Sequence, residues 1–215
     1  MRARPVIGGV FVRMLTDKGM WKKWSGMDHE ITGNWAKLPK PPVVTEVVPT
    51  SDKTGLIWAY TTDKPADDWF APAFDDGQWK KAPGGFGRGS PGCNPHTDWA
   101  TDDIWIRRTF EMPEVDHTNL KFFCYHDEDV EIYINGVLAG TASGYNTSYQ
   151  PIEMNAAGKA ALKTGSNVIA AHCHQTVGGQ FIDIGIATVV PAPQDDARAN
   201  GTDGKILASE RSTGK

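Results

Sequence analysis

The chain has 215 residues, of which 40% are hydrophobic and 10% aromatic, enough to fill the core of one domain with further segments attached. Its net charge is −4, and its Lys and Arg residues are scattered along the chain, so a nucleic-acid partner is excluded. No apolar run has the length needed to cross a bilayer, so we expect no membrane partner either.

The first 55 residues predict two segments without a core of their own. Residues 6–24 carry apolar side chains about every three to four positions, which predicts a short helical segment within residues 1–35 that must pack on another part of the protein. Residues 36–55 contain Pro39, Pro41, Pro42 and Pro49. Proline fixes φ and removes a backbone donor, so this stretch is predicted to be an extended linker.

From residue 56 to 190 the pattern changes to short alternating strands separated by Gly, Pro, Asn and Asp, which predicts a mainly β, antiparallel sandwich or barrel. Asn135-Gly136, between "VEIYI" and "VLAG", predicts a two-residue hairpin turn. Residues 191–215 have almost no large apolar side chains and are predicted to be disordered. The strands are predicted at 56–62, 103–112, 120–126, 130–134, 137–143, 149–154, 166–176 and 180–190.

Four motifs occur in order: "WFAPAFDDGQWKKAPGGFG" (69–87), "DIWIRRTFEMP" (103–113), "DEDVEIYINGVLAG" (127–140) and "LKTGSNVIAAHCHQ" (162–175). Together they resemble the galactose-binding-like jelly-roll module, as in the sugar-binding domain of family 2 glycoside hydrolases. The resemblance implies an antiparallel jelly-roll β-sandwich over residues 56–190. It transfers no catalytic residue, because in such hydrolases the catalytic carboxylates lie in another domain.

The stretch "ARPVIGGVFVRML" near the N-terminus resembles the closing helix of the glutaminase-A-like family, whose catalytic part is an α/α six-hairpin barrel. This second resemblance implies that residues 1–35 are a remnant of a preceding hydrolase domain. The chain would then be the C-terminal part of a larger hydrolase. We expect that parent protein to be exported, although the chain contains no signal peptide.

An acidic cluster, "HDED", stands where one predicted strand ends and the next begins, and its candidate ligand-binding residues are His126, Asp127 and Asp129. Paired carboxylates can hydrolyse sugars, and oxygen-rich loops can bind Ca²⁺. The spacing of an EF-hand loop is missing, so Ca²⁺ is unsupported and we expect no cofactor. The alternative, which we prefer, is the polar turn of a hairpin arm.

Two histidines two residues apart, His172 and His174, share one face of a predicted strand, about 6.6 Å apart. A metal site would need a third ligand, for which His126 and Asp183 are candidates. The alternative is that one histidine is hydrogen-bonded within the sandwich and the other lies at a solvent-exposed edge of the sheet. We expect no metal.

The Gly- and Pro-rich loop at 84–99 ends with His96, Asp98 and Trp99, which could hold a sugar by stacking and hydrogen bonds. Alternatively, Trp99 closes the end of the sandwich. Arg107 and Arg108 point to opposite faces of a strand, and we take Arg108 as a candidate ligand-binding residue.

Three hypotheses for function follow. The first is a non-catalytic carbohydrate-binding module whose partner is a carbohydrate or a preceding hydrolase domain. The second is a structural sandwich that braces that domain, and the third is a hydrolase that uses the His and Asp residues. The three cysteines cannot all pair, so at most one disulfide is expected.

Overall fold

The computed structural model of the protein describes residues 41–193. The predicted helical segment at 1–35, and with it the glutaminase-like remnant, lies outside the described residues, as does the predicted disordered tail beyond residue 193. Residues Pro42–Val190 form a compact unit. Within the described residues, no helix is both long enough and apolar enough to span a membrane.

The described residues are mainly β, as predicted, with eleven strands and one short helix. We number the elements in chain order. They are β1 (Val43–Val48), β2 (Ile57–Thr61), β3 (Lys80–Pro83), β4 (Phe86–Arg88), β5 (Asp103–Met112), β6 (Leu120–Asp127), β7 (Asp129–Ile134), β8 (Val137–Ala142), β9 (Gln150–Glu153), α1 (Ala156–Ala161), β10 (Gly165–His174) and β11 (Gln180–Val190).

The strands form two antiparallel sheets, so the chain is a β-sandwich. One sheet has the order β1-β11-β6-β9, with β4 also paired to β11. The other sheet has the order β3-β2-β5-β10-β7-β8. Strands that follow one another in the sequence often lie in different sheets, so most pairings are long-range.

Alternation along each strand places one side of every sheet in the core. On β5, Ile104 and Ile106 are buried in the main core, whereas Trp105 between them packs in a smaller cluster on the outer face. Leu120, Phe122 and Cys124 fill the core from β6 in the same way. Full burial of a large apolar side chain contributes about 1.5–3 kcal/mol, so this alternation fixes which face of each strand is left for function.

The predicted Asn135-Gly136 hairpin is confirmed, and it joins β7 to β8. Both residues have positive φ, 48° at Asn135 and 87° at Gly136. The Asn135 side chain also accepts a hydrogen bond from the Val168 amide at 2.8 Å, which ties the turn to β10. Of the acidic stretch, only Asp129 lies on this hairpin, at the start of β7, whereas His126 and Asp127 end β6 in the other sheet.

The stretch predicted to be a linker contains strand β1, which pairs antiparallel with β11. The prediction gave weight to the prolines on both sides of the strand and overlooked the β-branched residues between them. Proline is tolerated at the ends of edge strands, and β1 is an edge strand in which most residues are exposed.

A segment of loop at 66–79 covers part of the outer face of the six-stranded sheet, and Arg107 of β5 holds it there. The guanidinium donates to the carbonyl oxygens of Trp69 and Ala71 and pairs with Asp76 at 3.1 Å. Arg107 is only 2% exposed, so its charge is satisfied entirely by this segment. The covering segment leaves the neighbouring part of the same face, over β10, β7 and β8, open.

Candidate functional site

The open part of that outer face forms a cleft of about 280 Å³ across β7, β8 and β10. Side chains on alternate positions of a strand share a face, so β7 and β10 each contribute two polar groups to the cleft. Its polar lining residues are Asp129, Glu131, Thr141, Ser143, His172 and His174.

The two histidines of the cleft are fixed by a single carboxylate oxygen. His172 Nε2 lies 2.7 Å and His174 Nδ1 lies 2.8 Å from Asp103 Oδ1. The register of the sheet explains this arrangement, because β10 pairs with β5 so that His174 is directly opposite Asp103. Partial burial raises the pKa of Asp103, but the bonds from His172 and His174 outweigh it and hold the pKa below its ordinary value.

An aromatic partner fixes the ring plane of His172. The imidazole stacks on Trp105, with 4.6 Å between ring centroids and 4° between planes. Trp105 is 8% exposed and packs against Trp69 and Ala170 on its other sides. The imidazole therefore has a rigid support, and its orientation is set before any ligand arrives.

Two carboxylates of β7 lie beside the histidines, because the sheet pairs Glu131 with His172 and Asp129 with His174. Asp129 Oδ1 accepts a hydrogen bond from the Gly144 amide at 2.6 Å, and Glu131 Oε2 accepts one from the Tyr133 hydroxyl at 3.1 Å. Burial, together with the charge of Glu131, raises the pKa of Tyr133 to about 12, so the phenol remains a donor. Both carboxylates are thus anchored within the cleft.

The arrangement suits hydrogen bonding to a polyhydroxyl ligand. Imidazole, carboxylate and hydroxyl groups converge on one small cleft beside a supported aromatic ring, the usual composition of a polar binding site. In residues 41–193, no three His, Cys, Asp or Glu side chains are arranged to hold a metal ion.

The residues expected to supply a third metal ligand lie elsewhere. His126 is 4% exposed, and its Nδ1 lies 2.5 Å from the Glu128 carbonyl oxygen. Asp183 is 1% exposed and accepts hydrogen bonds from the Ser51 amide and the Tyr149 hydroxyl. The residue that joins His172 and His174 is Asp103, so that part of the hypothesis is wrong.

The acidic cluster does not act as one site. Asp127 is 5% exposed on β6, whereas Asp129 is exposed on β7 and lines the cleft. The turn between the two strands sends these carboxylates to different surroundings. Only Asp129 of the predicted cluster therefore belongs to the candidate site.

The loop at 84–99 does not present a stacking platform. Trp99 is 2% exposed, and its Nε1 donates to Thr101 Oγ1 at 3.0 Å, so the indole belongs to the core. Asp98 pairs with Arg88 at the surface, and His96 is exposed with its Nε2 3.4 Å from the Asp52 carbonyl oxygen. The expected sugar-stacking role of Trp99 is therefore wrong, and these three residues do not line the cleft.

Arg108 is half-buried and has no place in the cleft. Its guanidinium lies 4.9 Å from the Trp58 ring centroid and donates to the Pro49 carbonyl oxygen at 3.2 Å. Burial lowers the pKa of Arg108, although the charge of Asp183 opposes this shift. Both arginines of β5 therefore hold loops to the sandwich, each on its own face.

Sequence reasoning missed Asp103, Glu131, Thr141 and Ser143. The alternation of β7 could have added Glu131 to Asp129, because the two residues are two positions apart on one strand. Asp103 could be found only from the pairing of β10 with β5, since 69 residues separate it from His172.

No family model and no curated protein matches the chain. Among solved structures, it is similar to a β-glucuronidase from glycoside hydrolase family 2 (15% identity, TM-score 0.43, 69% of this chain and 18% of that chain). It is also similar to Bacteroides uniformis β-glucuronidase (16%, 0.47, 70% and 18%) and to Bifidobacterium dentium β-glucuronidase complexed with coumarin-3-O-glucuronide (16%, 0.41, 65% and 21%). The chain thus spans about a fifth of the length of these enzymes.

Proposed function

We propose that this β-sandwich is a non-catalytic carbohydrate-binding accessory module of a larger glycoside-hydrolase-like protein. The sugar binds in the cleft of β7, β8 and β10, and residues 1–35 are the remnant of a preceding hydrolase domain. One observation carries the proposal: six polar side chains converge on an open cleft whose histidines are already held in place by Asp103 and Trp105.

The chemistry of the cleft fits a sugar in two ways. Its carboxylate, imidazole and hydroxyl groups can each bond a sugar hydroxyl. The ring of His172, supported by Trp105, offers a flat surface against the apolar face of a pyranose. Because the supporting groups are rigid, little conformational entropy is lost when the ligand binds.

The carboxylates support binding better than catalysis. A glycosidase needs one carboxyl group with a raised pKa to act as a general acid. The pKa of Asp103 is lowered, mainly by its bonds from the two histidines acting against partial burial, so this group is an acceptor and not an acid. Burial raises the pKa of Asp183, but that side chain is 1% exposed and out of reach of a substrate.

A glycan array with the purified 215-residue chain tests the proposal, beside His172→Ala, Glu131→Gln and a matched control, His96→Ala. His96 is an exposed histidine outside the cleft, so its loss should leave retention unchanged. We expect retention on at least one glycan, its loss in His172→Ala, and weaker retention in Glu131→Gln. Equal retention by all four proteins would place the sugar elsewhere, and no retention on any glycan would remove the proposal.

A structural module that braces a hydrolase domain is the second candidate. The burial of Trp99 favours it, because the loop at 84–99 then has no aromatic platform for a ligand. This candidate predicts no glycan retention. It also predicts that deleting residues 42–190 from the parent protein lowers the unfolding temperature of the preceding domain.

A further inference from the structure

The two hydrogen bonds to Asp103 determine the tautomers of both histidines. An ionised carboxylate has no proton to donate, so each imidazole must be the donor in its own bond. His172 therefore carries its proton on Nε2 and His174 carries its proton on Nδ1. When both rings are neutral, one oxygen atom holds them in opposite tautomers.

Each ring is left with one nitrogen that can only accept a hydrogen bond, His172 Nδ1 and His174 Nε2. Among residues 41–193, each ring uses only one nitrogen in a hydrogen bond. The cleft also contains the carboxylates of Asp129 and Glu131, which are acceptors and negatively charged. Only the hydroxyls of Thr141 and Ser143 can donate as well as accept.

A ligand for this cleft must therefore bring donors and must not bring negative charge. Neutral sugars bring a hydroxyl on most carbons, and amino sugars add an ammonium group. A uronic acid replaces a donor with a carboxylate, which would face Asp129 and Glu131. Like charges about 4 Å apart repel by about 1 kcal/mol in bulk water and by more near a protein surface.

We propose that Asp103 is a positioning residue that fixes the tautomers of His172 and His174, and that the cleft consequently selects neutral or amino sugars and rejects uronic acids. The selectivity rests on the proposed carbohydrate-binding function. The role of Asp103 rests on the two hydrogen-bond distances and on the sheet register that brings it opposite His174.

Long-range ¹H–¹⁵N NMR of the imidazole rings tests the positioning role. At pH 8 the native chain should show His172 protonated on Nε2 and His174 on Nδ1. In Asp103→Ala, His174 should change to the Nε2–H tautomer that a free imidazole prefers. The matched control is Asp102→Ala, an exposed neighbouring acid that makes no side-chain bond to either ring, and it should keep the native tautomers. A native His174 protonated on Nε2 overturns the role of Asp103.

Binding of three β- or α-linked tetrasaccharides tests the selectivity: cellotetraose, the β-1,4-glucosamine tetramer and tetragalacturonate. We expect the first two to bind about tenfold or more tightly than the third. Glu131→Gln removes one carboxylate charge from the cleft, so it should reduce this difference in affinity. It is also the second variant to test if Asp103→Ala does not fold. Equal binding of tetragalacturonate overturns the selectivity but leaves the carbohydrate-binding function. Binding of none of the three overturns both.

Discussion

Replacing Trp99 by alanine tests whether this indole belongs to the core or to a ligand site. The side chain is 2% exposed and makes one hydrogen bond, from Nε1 to Thr101 Oγ1 at 3.0 Å. Truncating a fully buried tryptophan costs about 3–5 kcal/mol in the free energy of unfolding, because it removes apolar burial and leaves a cavity. For a chain of this size the melting temperature should fall by about 10 °C.

Two further variants separate the contributions. Trp99→Phe keeps most of the packing and loses the hydrogen bond, so it should cost about 1–2 kcal/mol. Trp79→Ala removes a half-buried indole that packs edge-on against Phe74, and it should cost about 1–2 kcal/mol. Trp79 is therefore a matched control for the loss of an indole in general.

Urea unfolding followed by far-UV circular dichroism gives the free energy of unfolding for each variant. A glycan-retention assay well below the melting temperature of Trp99→Ala should show unchanged binding, because Trp99 does not line the cleft. A core position for Trp99 is contradicted if Trp99→Ala loses less than about 1 kcal/mol in the free energy of unfolding. Its separation from the ligand site is contradicted if the folded variant loses glycan retention.

Arg107→Leu should lower the free energy of unfolding by about 3–5 kcal/mol, because it leaves Asp76 and the carbonyl oxygens of Trp69 and Ala71 without their partner; a nearly unchanged melting temperature would contradict this. Gly136→Ala should cost about 1 kcal/mol, since φ is 87° there, and a normal melting temperature would show that the turn can relax. The lowered pKa of Asp103 predicts a contribution to stability that is present above about pH 4 and is lost as the pH falls through the folded-state pKa. The melting temperatures of the native chain and Asp103→Asn should therefore converge in acid, and a constant difference down to pH 2.5 would count against a stabilising role of the Asp103 carboxylate.

Local sequence patterns predicted the sandwich because its strands carry a strong alternation. The stretch at 103–112 was predicted as one strand and is β5, and Asn135-Gly136 marked the hairpin because few residues other than Gly and Asn adopt positive φ. Strand β1 was missed because its flanking prolines are also typical of a linker. The prolines stop the strand at each end without preventing its pairing with β11.

The candidate site was harder to predict because it depends on which strands become neighbours. His172 and His174 were recognised from their spacing, but the residue that joins them comes from β5, and its pairing with β10 is not visible in either segment alone. The burial of Trp99 also depends on tertiary structure and could not be predicted from its own segment. Its place in a Gly- and Pro-rich loop left two alternatives, a sugar platform and a closed end of the sandwich, and the buried indole favours the second.

The pairing of β1 with β11 sets the two boundaries of the compact unit side by side. Val43 and Val190 are directly opposite each other in the sheet, so their Cα atoms are about 5 Å apart. Polypeptide entering the sandwich and polypeptide leaving it can therefore be joined by a very short connector. Because its two ends are close together, the unit should still fold when it is inserted into an exposed loop of an unrelated host protein. It should also fold when it is circularly permuted.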